Sequence, residues 1–205
     1  IAWGLHMRRV GRRLFEFVVV APVVINIPIV AMLWQFVYHP TIGVVNSLLD
    51  LVGLDGFARA WLGDPSTVLA AIAVTTVWQC MGIWVVLFGA SLERIPSSVI
   101  EAARIDGCGE WQLFRSISLP LIRDTMRTLI VLWFVWQMQA FAFVFVMTGG
   151  GPFGRSEIVG TLMYRTAFGQ AQFGYASAMG VALVLLILLC TGVINRILRS
   201  NDITY

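Results

Sequence analysis

Four long stretches of the chain are predominantly apolar and contain no Asp, Glu, Lys, Arg or His. They cover residues 17–37, 68–92, 128–147 and 175–195. A helix needs about 20 such residues to cross the hydrocarbon core of a bilayer, where every backbone N–H and C=O must find its partner inside the segment. The pattern predicts an all-α, polytopic transmembrane helical bundle with four spans, and it disfavours four buried helices of a large soluble core.

The first apolar stretch is interrupted by Pro22, Asn26 and Pro28. A proline inside a water-exposed helix costs about 3 kcal/mol, but membrane helices tolerate it where neighbouring groups bond the freed carbonyls. We therefore expect one kinked helix across residues 17–37.

Two loops, one after the first span and one after the third, carry local sequence signals. The loop over residues 39–67 repeats apolar residues at helical spacing, namely Leu51, Leu54, Phe57, Trp61 and Leu62. This spacing predicts an interfacial helix with its tryptophan at headgroup depth. The second loop begins with three glycines and a proline at residues 149–152, which we expect to stop the third helix. No Lys-Ser or Lys-Thr follows them, so a phosphate-binding loop is disfavoured.

The segment over residues 93–127 is polar, although it lies between two spans. Ser97 or Ser98 is expected to cap a first helix, with an acidic residue near its positive end. Asp106 and Gly107 are expected to end this helix, because glycine permits the backbone of a helix stop. The result is a helix, a sharp glycine turn and a second helix.

The second helix, "EWQLFRSISLP", is expected to end by Pro120. Small side chains at Ala102 and Ala103 allow a partner surface to approach closely. Apolar anchors for such a partner are Trp111, Leu113 and Phe114. From these residues alone, a docking element and a solvated hairpin without a partner both remain open.

The distribution of arginines predicts the orientation in the membrane. The chain has no lysine, and cytoplasmic loops carry the basic excess. One side of the four predicted spans holds Arg8, Arg9, Arg12, Arg13, Arg94, Arg104, Arg115, Arg123, Arg127, Arg196 and Arg199. The other side holds only Arg59, Arg155 and Arg165. We expect both ends of the chain and the polar hairpin to be cytoplasmic, and the net charge of +3 then reflects topology and requires no nucleic-acid partner.

Overall composition agrees with a membrane protein that is not an enzyme. The chain is 59% hydrophobic and 12% charged, too few charges to cover a soluble domain of 205 residues. Cys80, Cys108 and Cys190 form neither a disulfide pattern nor a metal-binding spacing, and His6 and His39 lie outside the spans. Without a clustered catalytic set, an enzyme is disfavoured. A channel or ion-coupled carrier would need a charged pore or an intramembrane acid, and the spans contain neither.

Polar and aromatic residues within the spans are candidates for a substrate pathway. The polar ones are Asn26, Gln35, Thr75, Thr76, Gln79, Gln137 and Gln139. Helical spacing places Trp133, Trp136, Gln137 and Ala140 on one face, and Trp78, Gln79 and Ile83 approximately on another. An aromatic face packs on a pyranose ring and an amide bonds its hydroxyls, so the two sets suit a sugar. The alternative is that the tryptophans pack helices and the glutamines bond between them.

The polar hairpin resembles a known sequence element. Its residues Glu101, Ala102, Ala103, Asp106, Gly107, Ile117, Leu119 and Pro120 resemble the EAA loop of the membrane subunits of bacterial ABC importers. Residues from about 12 to 199 resemble the carbohydrate-uptake branch, similar to the maltose and glycerol-phosphate permeases of the first type. Two departures are Cys108, where the family usually has alanine, and Asp124, near a frequent proline.

The resemblance implies six spans, of which four are visible. The sequence opens with "IAWGLHMRRVGRR", without an initiator methionine, and its first apolar run is too long and too far in for the core of a signal peptide. We expect a chain that begins part-way through a longer protein, with residues 1–205 forming one permease domain.

The resemblance also implies a mechanism and partners. The hairpin would be a coupling helix seated in an ATPase subunit, through Glu101, Ala102, Ala103, Asp106, Gly107, Leu119 and Pro120. ATP and Mg²⁺ would be bound by two ATPase subunits and not by this chain, which would pair with a second permease subunit and receive substrate from an extracytoplasmic binding protein. Sugar contacts would come from Gln79, Ile83, Trp133, Trp136, Gln137 and Ala140. The charge-free spans favour a neutral sugar or oligosaccharide, with glycerol phosphate or a related polyol derivative as the alternative.

Overall fold

The computed structural model describes residues 12–138 and 140–197, and it describes side chains from residue 17 onward. Several predicted residues lie outside the described part: Arg8, Arg9, Arg199, Gln139 and the side chains of Arg12 and Arg13. Over the described ranges the chain is helical and contains no strand. The all-α prediction is confirmed.

Two uninterrupted helices are long and apolar enough to cross a membrane, Val68–Glu93 and Phe173–Ile197. Two further pairs of shorter helices pass the same test if each bent pair counts as one span. The first pair is Phe17–Val24 with Ile27–Val37, and the second is Arg123–Gln137 with Phe141–Met147. By length and composition the described part therefore offers up to four spans, at the positions that the sequence predicts.

The first span is broken, and the prediction of one kinked helix was wrong. Helix α1 covers Arg12–Val24 and helix α2 covers Ile27–Val37, with a bend of 110° at the break. Asn26 precedes α2 in an extended conformation, with ψ 137. Pro28 then falls in the first turn of α2, where a missing N–H removes no intrahelical bond. The proline therefore supports the start of a new helix.

The loop after the first span contains helix α3, Val44–Leu51, and a 3₁₀ turn, Asp55–Phe57. The prediction of a helix across residues 51–62 was wrong. Helix α3 ends at Leu51, where that segment begins. Gly53 follows with φ +74, a left-handed conformation that glycine adopts without strain.

Asn46 holds this loop together from within. It is 5% exposed, and its Nδ2 donates to the carbonyls of Pro40 at 2.9 Å and Arg59 at 3.0 Å. Its Oδ1 accepts from the indole Nε1 of Trp61 at 2.7 Å. These bonds tie the indole to α3, so Trp61 serves the packing of the loop and is not part of a helix.

The long helix α4, Val68–Glu93, begins after an ordered turn. Asp64 Oδ1 accepts bonds from the Ser66 backbone N–H at 2.8 Å and from the Ser66 hydroxyl at 2.7 Å. These two bonds stabilise the carboxylate and lower the pKa of Asp64 below its ordinary value.

The polar hairpin consists of helix α5, Ser97–Ile105, and a second helical segment described with the candidate site below. The third span follows as α6, Arg123–Gln137, and α7, Phe141–Met147. Its end after Met147 agrees with the expected glycine stop, because Gly149 and Gly150 both have positive φ.

The loop beyond the third span contains order that the sequence did not predict. It forms helix α8, Val159–Tyr164, and a π-helical turn, Arg165–Gly169, before the last span, α9, begins at Phe173. Arg165 forms an ion pair with Glu157 at the start of this region.

The described residues form two compact units. The first contains residues 12–22, 81–136 and 189–197, and the second contains residues 23–80, 137–138 and 140–188. The core of the second unit consists of Val30, Ala31, Tyr38, Val68, Ala71, Ile72, Phe143, Val144 and Met147. The core of the first consists of Leu92, Ile95 and Ile122, with Phe88, Ile100 and Met126 packed against them.

Gly82 permits close packing within the first unit. A Cβ at this position would lie 2.7 Å from Val20 Cα and would also clash with the Val19 carbonyl of α1. Because both obstacles are backbone atoms, they cannot move aside as a flexible side chain would. The glycine therefore sets how closely α4 packs against α1.

We expect Gly82→Ala to destabilise the protein, since overpacking typically costs about 1–3 kcal/mol. Gly89→Ala on the same helix is the matched control, because its Cβ would meet nothing within 4 Å. Alanine is favoured over glycine in a helix by about 1 kcal/mol, so the control is expected to be neutral or stabilising. Thermal unfolding of the purified protein in detergent measures both, and equal shifts in the two variants would contradict the packing role.

Candidate functional site

Helix α5 begins at Ser97, and its N-cap residue is Pro96 and not a serine. Pro96 occupies the N-cap position with φ −58 and ψ 134, and no side chain caps the helix. Ser97 is therefore already the first helical residue, and the predicted caps at Ser97 or Ser98 were wrong. The Pro96 carbonyl accepts the first bond, from Val99 N–H at 3.1 Å.

Helix α5 ends in a Schellman motif built on Gly107. The Cys108 N–H donates to the Ala103 carbonyl at 3.0 Å, and the Gly107 N–H donates to the Arg104 carbonyl at 3.1 Å. Gly107 has φ +82, the left-handed conformation that this motif requires. Asp106 is the C-cap residue, as the sequence predicted for the end of this helix.

The second helical segment of the hairpin is continuous but changes its winding. It runs as an α-turn at Glu110–Gln112, a π-helix at Leu113–Ser118 and an α-turn at Leu119–Leu121. The segment passes through Pro120, so the prediction that it ends by this residue was wrong. The π-helix shifts the hydrogen bonding, with Leu119 N–H on the Phe114 carbonyl, and accommodates a proline that an α-helix would exclude.

One face of the hairpin is turned inward. Ala103 is 5% exposed, and Leu113 is fully buried on the π-helix, which α5 contacts. Leu113 is therefore no anchor for a partner, contrary to expectation. Ala103 is buried as well, so it is not on the exposed surface, and this was not evident from the sequence.

The opposite face of the hairpin is exposed. It presents Glu101, Ala102, Ile105, Asp106 and Trp111. Ile105 is 86% exposed and Trp111 is 70% exposed, which is unusual for large apolar side chains outside a bilayer. Gly107 and Pro120 are also exposed and Leu119 is half-buried.

Ile105 was missed in the sequence. The signal was available, because Ile105 lies four residues after Glu101 and three after Ala102, on the helix face opposite Ile100 and Ala103. Ile105 is thus an apolar residue that departs from the buried stripe of this helix.

The hairpin is fixed at its base and braced near its tip. Phe88 and Leu92 of α4 and Met126 of α6 belong to the core of the first unit, together with Ile100 of α5. Near the glycine turn, Arg104 pairs with Glu110 at 3.1 Å. The hairpin therefore shares an apolar core with the two helices that flank it.

The candidate substrate-pathway residues are distributed over both units. Ile83, Trp133 and Trp136 belong to the first, and Gln79, Gln137 and Ala140 belong to the second. In the first unit Trp136 is 48% exposed and lies edge-on to Trp84, with ring centroids 5.7 Å apart. Trp133 is 44% exposed.

In the second unit Gln79 is 4% exposed. Its Nε2 donates at 2.8 Å to the carbonyl of Ile25, at the break between α1 and α2. Its Oε1 is buried without a hydrogen-bond partner among the described residues. Gln79 thus bonds the backbone of the broken span, and one acceptor remains.

Gln137 and Ala140 do not share a continuous helix. Helix α6 ends at Gln137, and Ala140 is the N-cap residue of α7 with ψ 27. The face predicted from Trp133 to Ala140 therefore ends at Gln137, because the helical register is lost at the break.

Other polar side chains of the spans also bond backbone groups. Gln35 Nε2 donates to the carbonyls of Val146 at 2.8 Å and Met147 at 3.2 Å, at the end of α7. Thr75 and Thr76 donate to carbonyls one turn earlier in their own helix. For these three residues the structure favours a structural role. No metal-binding cluster of His, Cys, Asp and Glu occurs in the part of the chain described.

The chain matches one protein-family model over almost its whole length. Residues 1–201 match the model of the binding-protein-dependent transport system inner membrane component. The chain belongs to this family. Its members are non-catalytic membrane subunits of ABC transporters, as the hairpin sequence implied.

Several curated permeases are similar to this family member. A probable ABC transporter permease of Bacillus subtilis, YurN, is 36% identical over 174 residues, 85% of this chain and 60% of the relative. The diacetylchitobiose uptake permease NgcF of Streptomyces coelicolor is 34% identical, over 94% of this chain and 56% of the relative. The trehalose/maltose permease MalF of Thermococcus litoralis is 29% identical, over 95% of this chain and 65% of the relative. The chain thus spans about 60% of the length of the first of these relatives.

A solved structure has the same fold. It is a crystal structure of a bacterial ABC transporter involved in the import of the acidic polysaccharide alginate. It aligns with a TM-score of 0.85 and 25% identity, over 97% of this chain and 70% of that chain. The predicted importer-permease fold is confirmed.

We expect Gly107→Ala to loosen the hairpin of this permease. A side chain in the left-handed region costs about 1–2 kcal/mol, although the space around Gly107 is open. Gly109→Ala is the matched control, since Gly109 has φ −71 and equally open surroundings. Hydrogen exchange of the 97–121 segment is expected to rise in the first variant only; equal exchange in both would argue against the Schellman turn.

Proposed function

We propose that the chain is a permease subunit of an ATP-driven importer for a neutral sugar or oligosaccharide in the bacterial plasma membrane. The observation that carries the proposal is the hairpin, whose exposed face holds Glu101, Ala102 and Ile105 in a chain of this family. The names of similar permeases, which include diacetylchitobiose and trehalose/maltose systems, support a sugar.

The proposed partners follow from the hairpin. Two cytoplasmic ATPase subunits bind ATP and Mg²⁺, and one of them receives the exposed face of the hairpin. A second permease subunit and an extracytoplasmic binding protein complete the importer. The arginine distribution supports a cytoplasmic position for the hairpin and for both ends of the chain.

The proposed mechanism is mechanical. Closure of the ATPases on ATP displaces the hairpin, which packs through Ile100 against the buried cluster of Leu92, Ile95 and Ile122. Phe88 of α4 and Met126 of α6 pack against the same cluster, so the hairpin moves with its flanking helices. The helices then tilt and open the substrate path alternately to the two sides of the membrane.

Charge favours a neutral substrate. The four apolar stretches contain no Arg, Lys or His to neutralise an anion. The alginate transporter shows that this fold also occurs in a system for an acidic polysaccharide, so an acidic sugar or glycerol phosphate is the alternative within the class. A channel or ion-coupled carrier is the alternative outside it.

Two tryptophans are the proposed stacking surface for the sugar. Trp136 and Trp133 are about half exposed, and Trp84 supports Trp136 from the side. Within the first unit, Ile83 completes this set. The residues of the second unit form a separate proposed set, which consists of Gln79 with its remaining acceptor, Gln137 and Ala140.

The coupling role predicts a sharp difference between two neighbouring alanines. In a background lacking the three native cysteines, Ala102→Cys is expected to form a cross-link to the ATPase subunit in intact membranes, because Ala102 is exposed. Ala103→Cys is the matched control, because it is buried within the hairpin and unable to reach a partner. Immunoblotting of the cross-linked product measures both, and absence of any product with Ala102→Cys would refute the docking role.

The stacking role predicts a change in substrate affinity. We expect Trp136→Ala to raise the half-saturation concentration for uptake by up to about tenfold, since an aromatic contact is worth about 0.5–1.5 kcal/mol. Trp136→Phe should retain most of the substrate affinity, and basal ATP hydrolysis should be unchanged in both variants. Uptake of radiolabelled maltose, diacetylchitobiose and an alginate oligosaccharide measures the effect. Uptake of only the acidic probe would overturn the proposal of a neutral substrate.

A further inference from the structure

An open cleft lies in the first unit, where the hairpin returns to the third span. Its volume is ≈ 320 Å³. It is lined by Leu119, Pro120, Arg123, Met126, Arg127 and Ile130. Four of these side chains are apolar and two are guanidinium groups, so the cleft combines an apolar wall with a concentrated positive charge.

The two arginines are one helical turn apart. Arg123 and Arg127 are four residues apart on α6, so they lie on the same face of the helix. Arg127 is held in place, because its Nε donates to Asn195 Oδ1 of the last span at 3.1 Å. A guanidinium group carries five N–H donors, and this bond uses one of them. The group can therefore bind a further acceptor without losing its support.

The arginines lie at the edge of the hydrocarbon. Arg127 directly precedes the charge-free stretch over residues 128–147, and Asn195 is the last residue of the stretch over residues 175–195. Their hydrogen bond therefore marks the level at which both spans leave the bilayer. Arg123 lies one turn towards water, and Ile130 lies about one turn into the hydrocarbon.

We propose that this cleft binds an anionic phospholipid, with its phosphate between Arg123 and Arg127 and an acyl chain along Met126 and Ile130. Guanidinium groups bind phosphate through paired hydrogen bonds, and basic pockets between membrane helices bind anionic headgroups. The apolar wall distinguishes this ligand from a soluble phosphate, which would have no use for it.

Charge argues against the nearest alternatives. The segment that precedes the first span contains Arg8, Arg9, Arg12 and Arg13, which would be repelled by two further arginines. A carboxylate of another subunit would match the charge but would leave the apolar wall to be covered by other means. Lipid binding goes beyond the proposed transport function and does not depend on which substrate the importer carries.

The test is native mass spectrometry of the purified full-length permease complex, titrated with phosphatidylglycerol or with phosphatidylcholine of the same acyl chains. The wild type is expected to retain phosphatidylglycerol preferentially. In the double variant Arg123→Gln, Arg127→Gln we expect roughly 30-fold weaker retention of phosphatidylglycerol and unchanged retention of phosphatidylcholine. Arg94→Gln, Arg115→Gln is the matched control, because both arginines are exposed and neither lines the cleft.

Each other outcome overturns the proposal. If the wild type retains the two lipids equally, it has no preference for phosphatidylglycerol, whatever the variants show. If the double variant keeps the preference for phosphatidylglycerol, the lipid binds somewhere other than this cleft. Competition by free glycerol 3-phosphate at the same concentration as the lipid indicates a soluble-phosphate site. Loss of a subunit from the double variant without any lipid preference indicates a carboxylate of a partner protein.

Discussion

The need to bond every backbone polar group inside the hydrocarbon governs this structure. Two of its apolar stretches are helices bent at a break, where backbone groups lose partners that a continuous helix would supply. Amide side chains bond backbone groups where helices are interrupted or end: Gln79 reaches the Ile25 carbonyl at the first break, and Gln35 reaches two carbonyls at the end of α7. Polar residues in the spans thus permit irregular backbone. Irregular backbone lets a span of the transporter bend in ways that a continuous helix does not allow.

Backbone hydrogen bonds and packing also order the hairpin. Its turn closes through two backbone hydrogen bonds around Gly107, and each arm has a buried residue, Ala103 in the first and Leu113 in the second. Polar residues therefore remain available on the outer face, next to an exposed Ile105. A surface that is apolar at its centre and charged around it is typical of a protein interface. Rigidity and exposure together are what a coupling element needs, because a flexible loop would dissipate the movement of its partner.

Local sequence signals were sufficient where a short-range rule decides the structure. Asp106 and Gly107 ended a helix because only glycine adopts the required φ without strain, and the glycines at 149–150 likewise followed the end of a span. The same local reading failed at Ser97, Pro120 and the segment over residues 51–62. There the backbone of Pro96, a π-helical turn and the buried amide of Asn46 decided the outcome.

By itself the sequence determined the class of the protein, the positions of its apolar stretches and the hairpin between two of them. These follow from length, hydropathy and glycine, which act within a few turns of chain. Only the tertiary structure decided that two spans are broken, that Ala103 and Leu113 face inward while Ile105 faces outward, and that Gln79 bonds the backbone. Those outcomes depend on which helix lies beside which, and periodicity along one segment carries no information about its neighbours.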